Sequence, residues 1–224
     1  MAIRFVKINS PEPAVQYLAA TLRRHLKAGE RVLWLIAGGS VIKVATAVAK
    51  ELQGAPLGQL TVSLTDERPG PVGHADSNWA GLLAAAFDVP GARRQAVLTG
   101  AGAVSDTATF SRFLEGELER NQFRLGMFGI GPDGHTAGLP ARNAATPPPA
   151  AAAYYYEAGP FKRISMTPAA IDRLDEAVVY MTGIAKHEQV DRFAADLSYA
   201  EQSAQALKAA PAVTIFNDYK GDPA

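Results

Sequence analysis

The sequence predicts a three-layer α/β/α domain, a mostly parallel, Rossmann-like sheet with helices on both faces. Three features point there. Short, nearly unbroken apolar runs such as Arg31–Ala37 (RVLWLIA) are the signature of strands covered on both sides. Segments with three- and four-residue apolar spacing, as in Val41, Val44, Ala45, Val48 and Leu52, alternate with those runs. Glycine-rich breaks punctuate the junctions, and strands that alternate with helices favour parallel pairing.

In order along the chain, Ile3–Ile8 is the first expected strand. Ser10 is placed to cap the helix after it, Pro11 takes the tolerated first position, and Gly29 closes that helix. Arg31–Ala37 breaks at Gly38-Gly39-Ser40 into a helix, and Leu60–Thr65 is a strand ending in Asp66-Glu67-Arg68. Asp76 or Ser77 opens a helix through about Ala86, and Ser105 opens another through about Asn121. A buried strand ends at Phe128. Ala144–Ala153, made only of Ala, Pro and one Thr, is expected to be a loop leading into a strand at Ala153–Glu157. Lys162–Thr167, Glu176–Thr182 and Ala212–Phe216 are three further strands, and Ile184–Leu197 and Glu201–Leu207 carry helical patterns. With no internal repeat and no boundary signal, residues 1–224 are expected to form a single domain.

Composition narrows the function. At 48% hydrophobic and 20% charged residues, the chain has the make-up of a soluble globular domain. Twenty-two basic residues balance 22 acidic ones, so no global field favours nucleic acid or a membrane surface, while a local cluster of cations still suits a small anion. The absence of cysteine removes disulfides, thiolate metal sites and a Cys nucleophile. MAIRFVKINSPEP lacks the apolar core of a signal peptide and no apolar run reaches membrane-spanning length, so a cytoplasmic location is expected.

The chemistry concentrates in Phe123–Pro140, FRLGMFGIGPDGHTAGLP, where Asp133-Gly134-His135 sits on the lip of a strand. Open α/β sheets bind ligands beyond the carboxyl ends of their strands, and a histidine there is a candidate general base. Gly129–Gly134 satisfies G-x-G-x-x-G, with Glu157 about 20 residues further on, as a dinucleotide site would ask. Pro132, Pro140 and Pro147-Pro148-Pro149 leave no room for the long helix that motif requires. The other histidines have plainer explanations: His25 as a solvated helix-end residue, His74 in a Gly-Pro loop, His187 in a late helix.

Gly38-Gly39-Ser40 between strand and helix suits a phosphate, since helix N-termini offer unpaired N–H groups and partial positive charge; a simple turn with a serine cap explains it as well. Asp66-Glu67-Arg68, with Asp76-Ser77-Asn78 downstream, can line a polar pocket in which Arg68 clamps a phosphate or carboxylate. By themselves, Lys186 and Arg163 read as ordinary exposed cations. No metal-ligand spacing and no G-x-S-x-G elbow is present.

Taken together, LIAGGS, Asp66-Glu67-Arg68 with Ser77-Asn78, Gly129–Ala137, Arg163–Thr167 and Thr182–Lys186 resemble, in sequence order, the 6-phosphogluconolactonase family, within the superfamily that includes glucosamine-6-phosphate deaminase. The resemblance implies hydrolysis of 6-phospho-D-glucono-1,5-lactone to 6-phosphogluconate, a step of the oxidative pentose phosphate pathway, with no metal and no organic cofactor. It implies His135 as general base and Asp133 as its orienting or electrostatic support. Gly38, Gly39 and Ser40, helped by Arg68, Arg163 and Lys186, would hold the phosphate; Asp66, Glu67 and Gly131 complete the implied binding set. The implied partner is a small phosphorylated sugar lactone, without nucleic acid or membrane, on a monomer or small homo-oligomer.

Several positions depart from the family pattern. Val41-Ile42 stands where Thr-Pro is usual, and Gly138-Leu139-Pro140 follows the histidine motif in place of Ser-Leu-Phe-Pro. The segment near Ser203-Ala204 lacks a Pro-Ala-Ser/Gln run, and VTIFND replaces a Trp-containing last strand. Two other functions stay open. A glucosamine-6-phosphate deaminase or isomerase would carry a glutamate after the histidine, and Thr136–Pro140 contains no acid. A non-catalytic sugar-phosphate sensor would normally be joined to a DNA-binding helix-turn-helix.

Overall fold

The computed structural model describes residues 2–140, 150–158 and 161–222. Strand β1 (Ala2–Lys7) alternates exposed and half-buried positions, the pattern of a sheet edge. Helix α1 (Glu12–Lys27) starts behind Pro11, whose φ of −69° is already helical; Ser10 does not cap it, contrary to expectation. Its other end closes as predicted, with Gly29 N–H donating to Leu26 O and Glu30 N–H to His25 O, both at 3.1 Å. His25 there is not solvated: it stacks on Phe123 at 3.7 Å and contacts Glu30 at 2.5 Å.

Strand β2 (Val32–Ile36) is buried throughout and leads into α2 (Val41–Glu51). Next come β3 (Leu60–Leu64), the two-residue β4 (Asp66–Glu67), α3 (Asn78–Ala84), β5 (Arg93–Arg94), α4 (Ala103–Arg120) and β6 (Phe123–Phe128). Beyond residues 141–149, where the tri-proline and most of the predicted loop lie outside the described residues, the chain forms β7 (Ala153–Ala158) and β8 (Phe161–Met166). It ends with α5 (Pro168–Ile171), β9 (Glu176–Met181), α6 (His187–Ala194) and β10 (Ala212–Asn217).

Seven strands form one parallel sheet in the order β1-β10-β9-β6-β2-β3-β5. α1 packs on α2 and α2 on α3, and the strand order, with the right-handed rule for parallel crossovers, assigns α4 and α6 to the opposite face, the predicted three layers. Two strands legible in the sequence do not join this sheet: β7 and β8 pair antiparallel with each other, and β8 pairs antiparallel with β4. No helix separates β7 from β8, so they have no crossover with which to become parallel. The predicted helix at 184–197 splits into a 3₁₀ turn (Ile184–Lys186) and α6 because Lys186, at φ −107°, breaks the helical run; 201–207 settles as 3₁₀ at Ser203–Ala209.

The chain reverses direction across the sheet at the β2/β6 pair. From β2 it moves through α2 to β3 on one side; from β6 it moves to β9 on the other. Ala37 N–H donates to Met127 O at 2.9 Å, so the segments leaving the two strands start side by side and then diverge. That divergence opens a crevice at the carboxyl edge.

Core packing is tight along β6. A Cβ on Gly126 would stand 2.3 Å from a Phe128 ring carbon and 2.7 Å from Leu174 Cδ1, and both residues are fully buried or nearly so. Overpacked cores lose about 1–3 kcal/mol. Gly126→Ala is therefore expected to lower the urea midpoint by that equivalent, and an unchanged midpoint would show that Phe128 and Leu174 can make room.

Candidate active site

The crevice holds a cavity of about 200 Å³ walled by both diverging segments and by the small sheet. From β2, Gly38, Gly39 and Ser40 form one wall. Gly39 has φ +68°, a conformation that disfavours any side chain, and it turns the chain into α2. Gly38 is small for a different reason: a Cβ there would meet Asn78 Oδ1 at 2.0 Å. Ser40 stands at the α2 N-cap position without a side-chain capping bond and is exposed, so its hydroxyl remains available to a ligand.

From β6, Gly129–Ala137 folds back as a closed turn. Gly131 N–H donates to His135 O at 2.9 Å, Gly134 N–H to Gly131 O at 3.0 Å, and the Thr136 hydroxyl to Gly129 O at 2.8 Å. The His135 imidazole lies against the Gly131 backbone: a Cβ there would strike Nδ1 and Cε1 at 2.3 Å. Asp133 Oδ1 contacts His135 Nδ1 at 2.5 Å and accepts His135 N–H at 3.2 Å. A carboxylate only accepts, so Nδ1 carries the hydrogen of this contact and Nε2 of the neutral ring is left as a base. Burial pulls the Asp133 carboxyl upward, but its hydrogen bonds with His135 prevail and hold it below the usual carboxylate range. His135 lines the cavity; Asp133 stands behind it.

Successive residues of a strand face opposite ways, and β4 uses this to give its two carboxylates different tasks. Asp66 lines the cavity. Burial pushes its carboxyl up, and the Thr65 hydroxyl bond with the charges of Arg163 and Arg68 only partly opposes that. Glu67 does not reach the cavity. It is fully buried and accepts four bonds, from Arg68 N–H (2.7 Å), Asn78 N–H (2.7 Å), the Ser77 hydroxyl (2.8 Å) and Trp79 N–H (3.0 Å). Glu67 is thus the anchor of the α3 N-terminus, where Ser77 also caps by accepting Ala80 N–H.

That anchor fixes Asn78, whose amide donates to Asp66 O at 2.9 Å and whose Oδ1 accepts from Arg68 at 2.6 Å. Arg68 also donates to Asp76 O at 3.0 Å, which holds its guanidinium at the cavity wall. Arg163 comes from β8, and Lys186 from the N-cap of α6, so three cations from three elements converge on one cavity. Burial lowers the Lys186 pKa, with Asp218 opposing in part. Among the described residues no group of three His, Asp or Glu side chains converges as metal ligands would, and no helix is long and apolar enough to cross a membrane.

Of the eleven residues that the sequence proposes for the site, Gly38, Gly39, Ser40, Asp66, Arg68, Gly131, His135, Arg163 and Lys186 line the cavity; Asp133 reaches it only through its contact with His135, and Glu67, expected to bind substrate, does not reach it because its carboxylate is taken up by the α3 N-terminus. Of Asp76-Ser77-Asn78, read as part of a polar pocket, Asn78 lines the cavity; Ala137, a non-glycine at φ +48° in the cavity wall, carried no signal in the sequence. Val41, the position of the departed threonine, is fully buried and packs toward Gly129.

A family model described as glucosamine-6-phosphate isomerases/6-phosphogluconolactonase matches residues 10–219. Among solved structures, a 6-phosphogluconolactonase from Thermotoga maritima superposes with a TM-score of 0.81 at 18% identity, covering 96% of this chain and 98% of that one. One from Trypanosoma brucei gives 0.75 at 18% identity, with 96% of each chain covered. A monomeric glucosamine-6-phosphate deaminase gives 0.76 at 16% identity, with 97% of each covered. At these identities the likeness is one of fold. No curated protein matches by sequence.

Glu67→Gln replaces an acceptor oxygen by an NH₂ facing two donors. Leaving buried donors unmatched costs about 1–3 kcal/mol, so the thermal midpoint should fall by several degrees. A variant as stable as the parent would remove Glu67 from its anchoring role.

Proposed function

Because the chain belongs to the glucosamine-6-phosphate isomerase/6-phosphogluconolactonase family, we propose that it hydrolyses 6-phospho-D-glucono-1,5-lactone to 6-phosphogluconate. The observation that carries this is the Asp133-bound His135 imidazole facing a cavity that it shares with Arg68, Arg163 and Lys186. The phosphate binds to those cations and to the Gly38–Ser40 turn at the start of α2, which places the lactone carbonyl near His135. Nε2 of His135 takes a proton as water attacks the carbonyl carbon. The tetrahedral intermediate collapses, the bond from carbonyl carbon to ring oxygen breaks, and the imidazolium returns the proton to the departing oxygen. Asp133 stabilises the imidazolium while it exists. Binding energy from the remote phosphate is thereby converted into orientation of the reacting carbon.

The likeness in fold to a deaminase keeps a second reading, ring opening and isomerisation of an amino-sugar phosphate, with Asp66 as the second titratable group. The turn beyond His135 offers no acid to partner the ring in that chemistry, which favours the lactonase.

The test follows the disappearance of freshly generated lactone against its spontaneous rate. Wild type should accelerate it, and His135→Ala, folded by circular dichroism, should lose about 10²–10⁴-fold, the worth of a general base. No acceleration by wild type overturns the lactonase; acceleration intact in His135→Ala overturns the base.

Lys186 sets an alkaline limit. Its lowered pKa means that the free protein loses this charge at a lower pH than an ordinary lysine, near 10.4, would lose its own. Binding of 6-phosphogluconate, measured by calorimetry, should weaken as pH rises toward that value, and Lys186→Arg should flatten the alkaline fall.

A further inference from the structure

The turn that carries His135 is braced from behind by three buried glutamines that the mechanism does not use. Gln189, Gln202 and Gln205 are 5%, 0% and 8% exposed. Gln189 Nε2 donates to Pro132 O at 3.1 Å, and its Oε1 accepts from Gln202 Nε2 at 3.0 Å. Gln202 Nε2 also donates to Gln189 O at 3.2 Å; Gln202 Oε1 accepts from Gln205 Nε2 at 2.7 Å, and that amide also donates to Arg192 O at 2.9 Å. Main-chain carbonyls only accept, so Pro132 O, Gln189 O and Arg192 O each force one amide into a single orientation. The row therefore has one polarity, and it ends at Gln205 Oε1, which has no partner among the described residues.

Gln189 touches both halves of the site. It lies three residues after Lys186, within the helix that Lys186 caps, and it bonds a carbonyl inside the turn that ends in His135. The turn accepts a close fit: Gly134, at φ +89°, would bring a Cβ within 2.8 Å of Gln189 Oε1. Ala204 N–H adds a bond to Gly134 O at 3.3 Å, from the same segment as Gln202.

We propose that Gln189 is a positioning residue that fixes the spacing between the anion-binding end of α6 at Lys186 and the imidazole of His135. This rests on the lactonase reading for its kinetic consequence, since that spacing is the distance between a held phosphate and a reacting carbonyl. Misplacement of about 1 Å can cost about 10²-fold in rate. A residue that only stabilises the fold would not change how binding and turnover divide.

The experiment compares Gln189→Leu, which keeps the size and removes both bonds, with Gln205→Leu at the far end of the row. Gln189→Leu should lower kcat about tenfold or more with KM within about threefold, while Gln205→Leu keeps kcat. In the same proteins the His135 ring titration, followed by imidazole ¹⁵N resonances without substrate, should move in Gln189→Leu and stay in Gln205→Leu. The other charged groups at that ring and its cavity, Asp133, Asp66, Arg68, Arg163 and Lys186, are common to both variants. If Gln189→Leu does not fold, Gln189→Met, which likewise cannot donate to Pro132 O and adds no charge, is read the same way. Unchanged kcat and titration in the Gln189 variant, or equal losses in both, overturn the proposal. A wild type that fails to hydrolyse the lactone overturns the functional reading instead, and the titration alone then decides the positioning role.

Discussion

The parallel pairing of β2 with β6 is the constraint from which the rest follows. Both strands sit in the middle of the sheet, covered on both faces, so their side chains are given over to the core and only the segments beyond their carboxyl ends can carry chemistry. Their register, with Ile36 opposite Met127, brings those two segments out at the same height. One becomes the glycine turn before α2 and the other the closed turn of His135. Had the chain continued in the same direction from both strands, helices would have covered the crevice.

Around that crevice, charge is managed by separating jobs between neighbours. Asp66 and Glu67 are adjacent in sequence, buried alike, and face opposite ways. One carboxylate faces cations and the cavity; the other is spent entirely on backbone and hydroxyl donors that orient α3 and, through Asn78, Arg68. Buried ionisable groups persist where hydrogen bonds compensate their lost hydration, and Glu67 with four donors meets that condition fully.

Much of this was legible in the residues. The central strands announce themselves by unbroken apolar runs, because burial on both faces leaves no polar positions to confuse the pattern. The turns at Gly38-Gly39 and Gly129–His135 are visible because backbone geometry and close approach demand glycine. The small sheet was not legible: β4 has two residues, and its pairing with β8 joins positions about 100 apart, information that no local pattern holds. Glu67 and Asp66 look equivalent in one dimension, since the alternation that separates them needs a known strand. The glutamine row was invisible for the same reason. Glutamine has no turn or strand preference to betray it, and only the fold brings Gln189 and Gln202 together.

The sheet order also dictates a sequence of events in time. β1, the first strand to be made, has one neighbour, β10, the last. Until β10 exists, β1 has no partner in the sheet, and its half-buried residues Ile3, Phe5 and Val6 have no completed surface to settle on. The β2-β3-β6 centre needs only earlier residues and can assemble without waiting. During synthesis β1 therefore waits for β10, and forming that pair carries a loop-closure entropy set by nearly the whole span between them.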